Sequence, residues 1–223
     1  MKNASLSILY FLIGTLAIIL LEQPSFYPGF IAKVLIIPAL VILFILNLNP
    51  FSGRLHLFMF AGLLFSWAGD ITLEFTRINE IYFIIGLVCF LLAHLMYIVV
   101  FFKTEGDNII FSKKAYLFIP VLIYGITLVS CLFSDLAEMR VPVILYAAVI
   151  LSMLAGAINR RNKVNGVSYY MVLTGAILFV ISDSAIAVNK FSYHFSSSGI
   201  VIMTTYIVAQ YLIVTGYIYQ YRK

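Results

Sequence analysis

The chain has 223 residues, of which 63% are hydrophobic and only 10% are charged, with a formal net charge of +5 at pH 7. In an ordinary soluble domain about a quarter of the residues are charged. Long apolar runs recur along almost the whole chain, which excludes a soluble domain with a single membrane anchor. The composition predicts an all-α membrane protein with one integral membrane domain, residues 1–223.

Eight spanning helices are predicted in chain order, because each apolar run approaches the roughly 20 residues that cross a bilayer and is bounded by turn-forming residues. Lys2 precedes the first run, as it would in a signal peptide, but no small-residue cleavage site follows Leu21. The first run is therefore interpreted as a spanning helix. The predicted helices cover residues 5–21, 30–47, 55–75, 80–102, 115–133, 141–158, 168–189 and 197–220.

The basic residues are divided unequally between the two sides of this predicted bundle. Ten of the 14 Lys and Arg residues fall on the side with both termini, and four fall on the opposite side. Those four are Lys33, Arg77, Arg140 and Lys190. The positive-inside rule then predicts a multi-pass protein of the cell membrane with both termini in the cytoplasm. The basic charge follows from this bias, and no basic segment is long enough to predict nucleic-acid binding.

Two aspartates lie inside predicted spans, within similar stretches of sequence. GLLFSWAGD, which ends at Asp70, aligns without gaps with GAILFVISD, which ends at Asp183. In each stretch a Gly lies eight residues before the Asp, and a base follows seven residues after it. The alignment predicts two four-helix repeats of like orientation, residues 1–110 and 111–223.

The helix that follows each aspartate contains a polar step. This step is AHLMYI with His94 in the first half and AQYLIV with Gln210 in the second. Acids within a membrane are costly, at about 2.5–3.5 kcal/mol near mid-bilayer, and they usually face a cavity. Each Asp lies seven residues, or roughly 10 Å, from a base at the outer end. We therefore expect Asp70 and Asp183 to share one polar pocket in the outer half of the membrane, with His94 nearby.

Other polar side chains are expected to bind the acids or a substrate. Glu74, one turn after Asp70, is expected either to pair with Arg77 or to contact substrate. The remaining candidates are Gln210, Tyr97, Tyr206, Ser66, Ser182, Ser184 and Lys190. His94 and the two aspartates supply three potential metal ligands, but there is no second histidine inside a span, so no metal is predicted.

A pair of carboxyl groups in apolar surroundings favours acid–base chemistry. One member can keep its proton near neutral pH while the other stays ionised. Such a pair suits hydrolysis through a cationic intermediate. The substrate is expected to be a lipid, because the site can be reached only through the bilayer or its interface.

The sequence resembles the YhhN-like lysoplasmalogenase family of multi-pass membrane proteins. The resemblance rests on AGDITL around Asp70, on G-x3-F-x3-H-x2-Y over Gly86, Phe90, His94 and Tyr97, on ISDSAIAVNKF, and on TYIVAQYLI. It implies hydrolysis of the vinyl ether bond of lysoplasmalogens to a fatty aldehyde and a glycerophospho-base. The implied partner is a lysophospholipid from the bilayer, and no cofactor is needed.

Within that reaction, one of Asp70 and Asp183 would donate a proton to the vinyl ether. The other would stabilise the cation and activate water, with His94 and Gln210 orienting the pair. The sequence does not assign the two roles, and it makes no prediction of the oligomeric state.

Three alternatives remain open at this level. A proton-coupled transporter of a small solute or lipid also uses intramembrane acids, although its helices are usually broken at the site. An intramembrane aspartyl protease would need glycine at Trp67, and the Pro-Ala-Leu of residues 38–40 precedes the acids instead of following them. A purely structural role leaves the matched acids unexplained.

Overall fold

The computed structural model describes residues 2–20, 26–48, 53–106 and 114–221. Over these ranges the chain is helical apart from its turns, which confirms the predicted all-α class. Eight α-helices are present in the described ranges: α1 (Lys2–Leu20), α2 (Phe26–Asn47), α3 (Arg54–Glu74), α4 (Ile81–Phe102), α5 (Ile119–Leu132), α6 (Arg140–Asn159), α7 (Gly166–Phe191) and α8 (Ser198–Tyr221). Short 3₁₀ turns follow α3 and precede α5 and α6.

The length and hydropathy of the described helices confirm a multi-pass membrane protein. Seven of them, α2 to α8 with their flanking 3₁₀ turns, are long and apolar enough to cross a membrane. The apolar part of α1, Ala4–Leu20, is slightly shorter. Helices suit this setting because every backbone amide must be satisfied within the segment once water is absent.

The described chain forms two compact units, one up to Tyr97 and one from Ile98 onward. In the first unit α1 packs on α2, and α2 packs on α3. The core of this unit contains the fully buried side chains of Ile36, Leu40, Phe44, Met59 and Leu63. The Trp67 indole donates to the Val34 carbonyl oxygen at 2.8 Å and joins α3 to α2.

In the second unit α7 packs against α8, while α6 packs against α7 and α5 against α6. Polar side chains join α7 to α8 along their length. Ser168 Oγ donates to the Gly216 carbonyl at 2.6 Å, and Ser182 Oγ donates to the Ile202 carbonyl at 3.0 Å. Hydrogen bonds of this kind hold helices together in lipid, where the hydrophobic effect between helices is weak.

Candidate active site

Helices α3 and α4 approach each other closely at glycines. A Cβ added to Gly62 would lie 2.5 Å from the Tyr97 ring, and one added to Gly69 would lie 2.6 Å from the Phe90 ring. The two contacts run in opposite directions along the helices, so α3 and α4 are antiparallel. The Phe and Tyr of the G-x3-F-x3-H-x2-Y pattern therefore pack directly on α3, on either side of His94.

This packing fixes where Asp70 and His94 lie in the first unit. Each is eight residues after a glycine of the packing face, Gly62 in α3 and Gly86 in α4, which turns it by about 80° around its helix. Because the helices are antiparallel, the same rotation places both residues on one flank of the pair, with their levels roughly 8 Å apart. Both side chains are buried, Asp70 at 2% exposure and His94 at 0%. The helix geometry thus places Asp70 and His94 on the same flank of the pair, while the predicted pocket shared with Asp183 stays a prediction.

Two other candidates belong to the same helix pair. Tyr97 is fully buried against Gly62 and serves first as a packing residue. Ser66 lies one turn before Asp70, is also fully buried, and its hydroxyl has no hydrogen-bond partner. Within the described residues, the Ser66 hydroxyl therefore has spare capacity for a hydrogen bond.

Glu74 has a closer partner than the expected Arg77. Its Oε1 lies 2.7 Å from the Lys33 ammonium of α2, whereas its Oε2 is 4.0 Å from the Arg77 guanidinium. The predicted Arg77 contact is present only at the outer limit of an ion pair. Sequence spacing missed Lys33, because that residue lies 41 positions away on another helix. Glu74 therefore ties α3 to α2, and its predicted contact with a substrate stays a prediction.

Asp183 is held by a residue that sequence reasoning missed. The Tyr146 hydroxyl of α6 donates to Asp183 Oδ2 at 2.5 Å. One residue further along α7, Ser184 Oγ accepts from the Tyr124 hydroxyl of α5 at 2.8 Å and donates to the Val180 carbonyl at 2.7 Å. In the sequence, Tyr146 could have been noticed only as a polar hydroxyl in the middle of an apolar span.

The Tyr146–Asp183 pair lies on the wall of a pocket between α5, α6 and α7. The pocket encloses about 40 Å³, more than the roughly 10–15 Å³ that one ordered water occupies. Apart from Tyr124, Tyr146, Asp183 and Ser184, its lining is apolar, and includes Leu128, Leu132, Val143, Ile150, Leu151, Val180 and Ala187. The pocket therefore places one carboxyl group beside an apolar surface.

The α7–α8 pair repeats the arrangement of α3 and α4. A Cβ added to Gly175 would lie 2.9 Å from Ile213, the residue that aligns with Tyr97. Asp183 is eight residues after Gly175, and Gln210 aligns with His94, so these two also share one flank of their pair. The parallel supports the predicted repeat, which stays a prediction.

The remaining candidates on α7 and α8 have identified positions. Gln210 is fully buried, and its amide donates to the Tyr206 hydroxyl at 3.4 Å, while the Tyr206 ring packs edge-on against Phe179. Ser182 bonds a backbone carbonyl of α8, which is a structural role. Lys190 is exposed near the end of α7, roughly 10 Å beyond Asp183.

Asp70 belongs to the first compact unit and Asp183 to the second. Their convergence on one pocket therefore stays a prediction. In the described part of the chain, no group of three His, Cys, Asp or Glu residues is placed to bind a metal ion.

The fold and these residues define the class as a multi-pass helical membrane protein with carboxyl groups inside its spans. The model of the YhhN family matches residues 29–217. The chain therefore belongs to the YhhN family, which confirms the resemblance found in the sequence. No curated protein and no solved structure is significantly similar to it.

Proposed function

We propose that this protein is a membrane-embedded hydrolase that cleaves the vinyl ether bond of lysoplasmalogens, releasing a fatty aldehyde and a glycerophospho-base. The observation that supports this most is the hydrogen-bonded Tyr146–Asp183 pair on the wall of an otherwise apolar pocket. A vinyl ether lies where the hydrocarbon chain of such a lipid meets its polar part. A carboxyl group beside an apolar cavity is suited to that junction.

The reaction needs one acid that donates a proton and one carboxylate. The donor protonates the β-carbon of the vinyl ether, and the ether oxygen shares the resulting positive charge as an oxocarbenium ion. Water then adds to the cationic carbon and gives its proton to the carboxylate. When the hemiacetal collapses to an aldehyde, the second acid gives its new proton to the leaving glycerol oxygen, and the hemiacetal hydroxyl returns a proton to the first acid. Both acids regain their starting states, so atoms and protons balance without a cofactor.

Tyr146 gives Asp183 a hydrogen-bond donor. A hydroxyl that donates to a carboxyl oxygen stabilises the ionised form of that carboxyl. In our proposal Asp183 is therefore the carboxylate that stabilises the cation and accepts the proton from water, and Asp70 is the proton donor. His94 and Gln210, each on the flank of its acid, orient the pair.

The headgroup is assigned to the predicted outer end of the same helices. The Tyr146–Asp183 bond sets the register of α6 and α7, so Arg140 and Lys190 lie at about the same level, roughly 10 Å further out. Arg140 stacks 4.6 Å from the centre of the Phe133 ring, and its Nε donates to the Phe133 carbonyl. Two cations at this distance from the reacting bond suit the phosphate of a lysophospholipid.

The continuity of the helices favours a hydrolase over a transporter. α3 runs without a break through Asp70, and α7 runs without a break through Asp183. Transporters commonly place their ionisable sites where helices are interrupted.

The direct test is incubation of the purified protein with alkenyl-, alkyl- and acyl-lysophospholipids of equal chain length, with aldehyde release measured. We expect aldehyde from the alkenyl lipid alone, since only a vinyl ether yields an aldehyde after protonation and hydration. A folded protein that releases no aldehyde from the alkenyl lipid would refute the proposal. Proton-coupled solute flux into liposomes under the same conditions would favour the transporter instead.

A further inference from the structure

Arg160 is a buried cation that the proposed reaction does not use. It follows α6 directly, at the end of the bundle predicted to face the cytoplasm, and its side chain is fully buried. Its Nη2 donates to Ser168 Oγ at 3.1 Å and to Gln220 Oε1 at 2.8 Å. The guanidinium carbon lies 5.5 Å from the centre of the Phe101 ring. All of these partners are neutral.

The rest of the guanidinium has no acceptor among the residues that the structure describes. Nε and Nη1, which together have three N–H groups, are buried without a hydrogen-bond partner. Burial lowers the pKa of Arg160 to about 10, which still leaves the group cationic at neutral pH. A buried charge without a counter-ion is among the most costly features that a folded protein can contain.

Within the described ranges, the surroundings of Arg160 do not supply the missing negative charge. None of the ion pairs in the described ranges includes Arg160. Its own loop contains two more bases, Arg161 and Lys163, and no acid. Glu105 neighbours Gly106, which approaches Lys163, but the Glu105 side chain is exposed at the surface. The described part of the chain therefore leaves a positive site that a small anion would complete.

The proposed substrate cannot be that anion. Ser168, which bonds Arg160, is 15 residues before Asp183 on the same helix, a rise of roughly 22 Å. A lysophospholipid whose vinyl ether is next to Asp183 has its phosphate only a few bonds away from that ether. The anion at Arg160 therefore belongs to a second molecule, at the opposite end of α7.

We propose that Arg160 is the centre of an anion-binding site for a phosphate group, either the phosphodiester of an anionic lipid in the adjacent leaflet or free inorganic phosphate. Guanidinium N–H groups bind phosphate oxygens through strong charge-assisted hydrogen bonds. Ser168 and Gln220 hold the guanidinium from one side, so Nε and Nη1 remain for the ligand. Its partner Gln220 lies near the end of α8, where the next residue, Tyr221, is 42% exposed.

The test is thermal unfolding of the purified full chain in detergent. One arm compares sodium phosphate with sodium chloride at equal ionic strength, and the other compares mixed micelles containing phosphatidylglycerol or phosphatidylcholine. A ligand at about 100 times its Kd should raise the Tm by roughly 5 °C or more. A rise with inorganic phosphate identifies the free anion, and a rise with phosphatidylglycerol alone identifies the lipid. No rise in either arm would overturn the proposal.

Two variants show whether the effect belongs to Arg160. Arg160→Gln should abolish the shift, whereas Arg161→Gln, which removes the same charge from an exposed neighbour, should keep it. If Arg160→Gln does not fold, Arg160→Lys is the second variant. It keeps the positive charge but lacks the planar guanidinium group, so it should reduce the ligand-induced rise in Tm. The assignment would be overturned if the ligand raised the Tm of the Arg160 variant as much as that of the wild type. It would also be overturned if the Arg160 and Arg161 variants lost the rise in Tm equally, since that would show only non-specific attraction.

Discussion

The hydroxyl of Tyr146 donates a hydrogen bond of 2.5 Å to Asp183, joining α6 to α7 on the wall of an apolar pocket. In water such a bond would contribute little, because both groups would bond water equally well. In a membrane, where water does not compete, it holds the acid at a fixed position. Tyr146 is therefore the positioning residue on which our assignment of Asp183 as the carboxylate depends.

Replacing Tyr146 by Phe should slow aldehyde release by about 10- to 100-fold. A hydrogen bond to a charged group contributes about 1.5–3 kcal/mol, and each 1.36 kcal/mol corresponds to tenfold in rate. Tyr124→Phe is the matched control, since it removes a hydroxyl from the same pocket but leaves Ser184 bonded to a backbone carbonyl. Initial rates with alkenyl-lysophospholipid measure both. If both substitutions lowered the rate equally, Tyr146 would have no specific role in positioning Asp183.

The two aspartates should act as one unit. Asp70→Asn and Asp183→Asn keep the shape of the side chain and remove its titrating proton, and general acid–base catalysis contributes about 10²–10⁴-fold. Each change should therefore lower the rate by at least about a hundredfold, and the double variant should be little slower than the slower single variant. Glu74→Gln should cost far less, because Glu74 is bound to Lys33.

These predictions are tested by measuring aldehyde release by each variant, after gel filtration has shown that the variant is folded. Near-normal activity in either Asp→Asn variant would contradict the paired-carboxylate mechanism while leaving the family assignment intact.

The close approach of α3 and α4 at Gly62 should be essential for stability. A Cβ there would lie 2.5 Å from the Tyr97 ring, and overpacking of this kind typically costs about 1–3 kcal/mol. Gly62→Ala should therefore lower the Tm in detergent by several degrees. Gly166→Ala is the matched control, because nothing lies within 4 Å of the position that its Cβ would occupy. A Gly62 variant as stable as the Gly166 variant would show that the helices separate without cost.

Both termini should lie in the cytoplasm. In a chain without Cys89 and Cys131, a membrane-impermeant thiol reagent applied from outside should label a cysteine at Ser196 and leave one at Arg161 unlabelled. Both positions are exposed in the structure, so accessibility within the protein does not bias the comparison. Asn165 is avoided, because its side chain caps α7 and bonds the Tyr219 carbonyl. The reverse labelling pattern would invert the topology and move the proposed site to the inner half of the membrane.

The sequence by itself determined the class, the helices and the family. Spans are set by the length of apolar runs, since a bilayer imposes one length on all of them, and all eight predicted helices are found within a few residues of their predicted bounds. Asp70, His94 and Asp183 could also be named from the sequence as candidate site residues. An ionisable group within an apolar run is costly whichever way its side chain points.

Only the tertiary structure decided which side chains meet. Tyr146, the partner of Asp183, lies 37 positions from it, and Lys33, the partner of Glu74, lies 41 positions away. Arg160 looks in sequence like one of three loop bases, and only packing shows that it is buried while Arg161 is exposed. The physical reason is that hydropathy fixes which segments enter the membrane but not their rotation. The rotation of a helix about its axis depends on which of its faces allows close contact with a neighbour, as the faces with Gly62 and Gly175 do here. It is therefore decided by both helices of a pair.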